Sequence, residues 1–155
     1  MQTEEENTKR GKKSRNSGRR FEEKSREFLT SQGLIVGRWT NNLILENGEY
    51  KLVPSKPLMK FNPFTKTMQI MNTNTGFPDY FAFHPGKETE LIGYESKKGK
   101  YLDKDEKEKC EWYLKHLIFS KIFVLYPGKK RGTIDAWEFI SNKSEVFPEK
   151  DSLEN

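Results

Sequence analysis

Between Arg20 and Gln32 the apolar residues Phe21, Phe28 and Leu29 recur at helical spacing, and Gly33 supplies a stop, so the first predicted element is an amphipathic helix. Leu34 to Trp39 then reads as a β-strand, broken by Asn41 and Asn42. Two hairpins follow. Leu43 to Val53 pivots on Glu46-Asn47-Gly48, a favoured tight-turn sequence, and Met59 to Met71 turns about Asn62-Pro63. A strand from Asp79 to His84, a Pro85-Gly86 turn and a strand from Glu90 to Lys98 make a third hairpin. Asp103 to Leu117 returns to helical spacing, with Cys110, Tyr113, Leu114 and Leu117 on one side and charges on the other. Ile122 to Tyr126 reads as a buried strand, Pro127 to Gly132 as a basic turn, and Thr133 to Ile140 as the last strand. The order predicts an α/β fold: a central mixed sheet flanked by two helices, with residues 41–75 inserted as a β-hairpin region.

At 155 residues the chain fits one domain with a genuine core, and that domain is expected over 19–142, after a flexible arm at 1–18 and before an acidic tail at 143–155. Hydrophobic and charged residues each make up 33%, so the core must draw on large side chains, of which eleven Phe, six Tyr and three Trp are available. One cysteine excludes an internal disulfide, and with only two histidines beside it a Cys/His zinc site is nearly excluded, so a metal would be held by oxygen. No apolar run approaches the ~20 residues of a membrane span, and the N-terminus lacks a signal-peptide core, so an intracellular, cytoplasmic protein without a membrane partner is expected.

Net charge is +5, and its distribution is more informative than its sum. The first 20 residues hold Lys9, Arg10, Lys12, Lys13, Arg15, Arg19 and Arg20 against Glu4, Glu5 and Glu6, so four of the five net charges lie there. A basic Gly/Ser/Asn-rich segment suits an arm that neutralises phosphates.

Gly76-Phe77-Pro78-Asp79 opens one strand of the third hairpin, and Tyr94-Glu95-Ser96-Lys97 closes the other, which makes Asp79 and Glu95 neighbours in space. Strand alternation points Glu95 and Lys97 to one side and Ser96 to the other. Two carboxylates can hold Mg²⁺, with the Ser96 backbone carbonyl as a further ligand, and a lysine beside them can position a water or, its pKa lowered by the nearby cation, assist its deprotonation. Those are the needs of phosphodiester hydrolysis.

This set resembles the signature of the PD-(D/E)XK nucleases, which include many restriction enzymes, archaeal Holliday junction resolvases and VRR-type nucleases: Pro78-Asp79, a hairpin, then Glu95-Ser96-Lys97. The resemblance implies a restriction-endonuclease-like core. It further implies Mg²⁺, with Mn²⁺ as a substitute, and hydrolysis of DNA, branched or structured as in the resolvases, by a symmetric homodimer. Resolvase-like members carry another glutamate on an N-terminal helix after a Gly-rich start, and Gly18-Arg19-Arg20-Phe21-Glu22 stands at a similar place; at ~100° per residue Glu22 lies about 20° from Leu29, within reach of the sheet. The catalytic and metal-holding set is therefore Asp79, Glu95, Lys97 and Glu22, with the Ser96 carbonyl. Lys98, Lys100, Lys104, Arg19 and Arg20 are candidates for contact with nucleic acid. The 41–75 segment is longer than the loop of a minimal resolvase, and the helix after the motif lacks the glutamine often found in VRR-type enzymes.

Competing readings are a non-catalytic nucleic-acid-binding module on the same fold and a nuclease acting on RNA. His84 and His116 read as packing or surface residues, and Cys110 as a small buried hydrophobe. Trp39, Phe61 and Phe64 suit the core better than base stacking.

Overall fold

In the computed structural model, which describes residues 3–56, 58–72 and 76–141, the chain forms a mixed five-stranded sheet with a helix on each face. Helix α1 spans Glu4–Ser31. Thr3 caps it, accepting from the Glu6 N–H while the Glu6 carboxylate accepts from the Thr3 N–H, and three glutamates in the first turn complement the helix dipole. It ends at Gly33, whose φ of 83° only a residue without Cβ takes readily. Phe21, Ser25 and Leu29, four apart, are its buried stripe.

The predicted flexible arm at 1–18 is thus corrected over its described part: Glu4 to Gly18 is helix, continuous with the expected amphipathic one. The Thr3-x-x-Glu6 capping box and the absence of proline outweigh the two glycines in this segment.

Strand β1 (Ile35–Arg38) pairs antiparallel with β6 (Tyr80–Phe83), which pairs antiparallel with β7 (Ile92–Ser96). β7 runs parallel to β8 (Lys121–Pro127), through helix α2 (Lys104–Lys115), and β8 pairs antiparallel with β9 (Ile134–Glu138). The parallel pair needs a crossover, and α2 provides it.

Alternation along the strands splits the core in two. Ile122 and Val124 of β8 pack with Cys110 and Tyr113 of α2, Phe77 and Phe119; Tyr80, Ala82, Tyr94 and Leu125 pack with Leu29 of α1 and Leu34 on the other side. The aromatic residues carry much of this, with Trp39, Tyr113 and Phe119 meeting edge to face.

The inserted region forms two separate two-stranded ribbons outside the main sheet. β2 (Asn41–Glu46) and β3 (Glu49–Pro54) join through Asn47 and Gly48, both with positive φ, as a tight hairpin with right-handed twist requires. Leu43 anchors this ribbon in the core. β4 (Leu58–Asn62) and β5 (Thr67–Asn72) turn over Pro63 to Lys66, leaving Phe61, Phe64 and Met68 exposed. The acidic tail expected at 143–155 lies outside the described residues.

Candidate functional site

The site lies where β6 begins and β7 ends. The loop before β6 is held tightly: the Phe77 N–H donates to Asn41 O, and the Tyr113 hydroxyl of α2 donates to Phe77 O at 2.8 Å while accepting from Trp39 Nε1 at 3.2 Å. Gly76 allows the close passage, since a Cβ there would sit 2.1 Å from the Trp39 carbonyl oxygen. Pro78, joined to Phe77 by a cis peptide, is fully buried, and Asp79 follows it at the strand's mouth.

Each of the two carboxylates holds backbone of the opposite strand. The Asp79 N–H donates to Glu95 Oε2 at 3.1 Å, and the Ser96 N–H donates to Asp79 Oδ2 at 2.9 Å. The Lys97 N–H donates the other way, to Leu125 O of β8. In an extended strand the N–H and C=O of one residue leave on the same edge, so the Ser96 carbonyl faces β6 beside Asp79. Continuing the Tyr80 to Tyr94 register sets Pro78 opposite Ser96, and proline has no N–H to give that carbonyl.

Glu95 is only 6% exposed, and its Oε1 lies 3.4 Å from Lys97 Nζ. Lys97 also donates to Glu106 Oε1, while Glu106 Oε2 accepts from the Asp103 N–H as part of the α2 capping box. Sequence reasoning missed Glu106. Its signal was there in Asp103-x-x-Glu106, which starts a helix six residues after Lys97 and turns Glu106 back toward the strand end.

Burial, with the charge of Glu22 second, raises Asp79 to about 6 against the lowering effects of the Ser96 N–H, Lys97 and Arg38. Burial and the neighbouring Asp79 push Glu95 well above the usual carboxylate range, despite Lys97. Glu22, half-buried on α1, is raised by burial and opposed by Arg38 and Arg19. The Tyr80 hydroxyl donates to Glu22 O at 3.0 Å and fixes α1 over this end of the sheet. Arg38, a second residue that sequence reasoning missed, ends β1 opposite Tyr80. The strand pairing that brings it beside Asp79 carries no local signal.

Burial disfavours the Lys97 ammonium, but the hydrogen bond to Glu106 and the charges of Glu95 and Glu106 outweigh it and hold the group above the ordinary lysine value. Glu106 and Glu95 thus hold the Lys97 side chain in its charged form.

Of the other sequence-nominated residues, Lys98 donates to Ser17 of α1, which ties the loop after β7 to the basic segment. Lys100 lies over the Tyr101 and Tyr126 rings, at 5.4 and 5.9 Å from their centroids. Lys104 stands in solvent 4.0 Å from Glu108, while Arg19 and Arg20 are exposed on α1.

Among the described residues no three or more Asp, Glu, His or Cys side chains already converge as a metal site. Mg²⁺ commonly takes one or two carboxylates and fills its octahedron with water, so Asp79 and Glu95 with the Ser96 carbonyl fit it by donor chemistry. Crowded carboxylates, with Asp79 raising Glu95 and Glu22 raising Asp79, are also a site that a divalent cation relieves. Among the described residues no helix is long and apolar enough to cross a membrane. No protein-family model, curated protein or solved structure matches the chain.

Proposed function

We propose that this chain is a metal-dependent nuclease of PD-(D/E)XK type that hydrolyses phosphodiester bonds in DNA. The observation that carries the reading is the pair of carboxylates set across one hairpin, buried Glu95 accepting from the Asp79 N–H and half-buried Asp79 accepting from the Ser96 N–H, with the Lys97 ammonium beside Glu95. The strand order supports a restriction-endonuclease-like core, because an antiparallel hairpin bearing both carboxylates leads through one crossover helix to a parallel strand.

Bound Mg²⁺, or Mn²⁺ in its stead, supplies charge neutralisation on the phosphate and a more acidic water. Asp79, Glu95 and the Ser96 carbonyl would hold the ion, and Glu22 would complete its water shell from the α1 side. Lys97, held by Glu106, would orient the attacking water and neutralise a non-bridging phosphate oxygen. Lys98, next to it, meets the adjoining phosphate. The resolvase-like layout favours structured DNA, a symmetric dimer and a role in DNA repair or recombination.

The test is cleavage of plasmid, linear duplex, flap, four-way junction, single-stranded DNA and RNA, with Mg²⁺, Mn²⁺ or chelator, by the native chain, Asp79→Asn and Glu95→Gln. Metal-dependent cutting lost in both variants is the expected result. Variants that cut as well as the native chain would sink the assignment. The rival, a non-catalytic binding module, gains from the engagement of Lys97 by Glu106 and predicts binding without turnover under every metal condition.

A further inference from the structure

The extended half of α1 carries chemistry that the active centre does not use. From Lys9 to Arg20 the helix bears seven cations and no acid, and Thr3 to Asn16 is exposed throughout. Lys9, Lys12, Lys13, Asn16, Ser17 and Arg20 line one shallow groove of about 390 Å³. At ~1.5 Å per residue the basic stretch is roughly 18 Å long.

We infer that this half of α1 lies in the major groove of B-form duplex DNA and delivers the strand to the active centre. The inference rests on the nuclease reading only for where the strand goes; the binding itself is independent of catalysis. Three observations select the ligand.

First, at ~100° per residue the seven cations spread over roughly 220° of the helix circumference. A flat anionic surface engages one side of a helix, whereas a groove presents phosphates along both flanks. Second, Thr3 to Arg20 contains no apolar residue, so the segment has neither the face that inserts into a bilayer nor the anchors that bind a protein partner. Third, Lys98, adjacent to Lys97, donates to Ser17 on this helix, so the basic surface is continuous with the mouth of the site. A helix of about 10–12 Å diameter matches the ~12 Å major groove of B-DNA, while the deep, narrow major groove of A-form RNA excludes it. Lys9 pairs with Glu5 at 3.0 Å across exposed surface, an interaction weak enough to exchange for phosphate.

The test measures binding of the full chain, in chelator, to labelled duplex DNA, duplex RNA of the same sequence and phosphatidylserine vesicles across a salt series. It compares the native chain with a Lys9→Gln/Lys12→Gln/Lys13→Gln variant, whose exposed positions leave the melting temperature unchanged. Duplex DNA is expected to bind more tightly than duplex RNA. The variant should lose at least ~10-fold in affinity and about 3 in the slope of log K against log salt. An unchanged slope, duplex RNA bound as tightly as DNA, or a preference for vesicles each overturns the inference. Parallel cleavage assays with Mg²⁺ separate the two readings. Duplex bound through the arm but never cut overturns the nuclease and leaves the arm; cutting with an unchanged slope in the variant overturns the arm and leaves the nuclease.

Discussion

Asp79→Asn should make the metal-free protein more stable. In the folded chain burial and the Glu22 charge raise the Asp79 carboxyl from 3.8 to about 6, so above that pH its ionised form is held at a cost of about 3 kcal/mol. Asparagine removes the charge and still offers an oxygen to the Ser96 N–H. The sign follows from the direction of the shift. A folded pKa above the unfolded one means that stability is fully present below pH 3.8 and lost as pH rises through about 6. At pH 8 in chelator the variant should therefore exceed the native chain by about 2–3 kcal/mol, or roughly 5–10 °C in melting temperature. The gap should shrink toward nothing near pH 4, where the native carboxyl is protonated. Adding Mg²⁺ should raise the native chain's melting temperature and leave the variant's nearly unmoved. Calorimetry at the two pH values decides it. A variant no more stable at pH 8, or a gap of equal size at both pH values, would refute the electrostatic account of the site.

Glu106→Gln keeps an oxygen for the α2 cap but removes the charge beside Lys97, so cleavage should fall by ~10-fold and the alkaline limb of its pH profile should move to lower pH, with binding in chelator unchanged. Tyr113→Phe strips Phe77 O and Trp39 Nε1 of their shared partner and should cost about 1–3 kcal/mol in denaturant titration; no loss would mean that the hydroxyl does not brace the Asp79 loop. Gly76→Ala should destabilise by about 3 kcal/mol because its Cβ meets the Trp39 carbonyl, whereas Gly99→Ala, with nothing within 4 Å, should melt like the native chain.

Where the pattern of apolar residues repeats, the sequence was readable. Both helices, the strands on either side of Asp79 and Glu95, and the Asn47-Gly48 hairpin follow from periodicity and turn chemistry alone. Boundaries were less so: β7 ends at Ser96, leaving Lys97 just beyond the strand, and α2 begins one residue after its Asp103 cap. The arm was misread because its Gly, Ser and Asn content suggested coil, while the decisive feature was a capping box at its far end. Asp79, Glu95 and Lys97 met as their spacing in one hairpin required. Glu106 and Arg38 arrive from other elements; the capping box at Asp103 was the one local mark of Glu106, and the strand pairing that brings Arg38 in has none.

The two bonds that Asp79 and Glu95 make across β6 and β7 also bear on how the protein's quality is judged. A slip of one residue between β6 and β7 would send the two carboxylates to opposite faces of the sheet and break both bonds together. There is no halfway arrangement. In a refolded or recombinant batch, the fraction of chains that take up the proposed cation stoichiometrically would therefore count the correctly paired sheets, a tally that solubility and helix content would both miss.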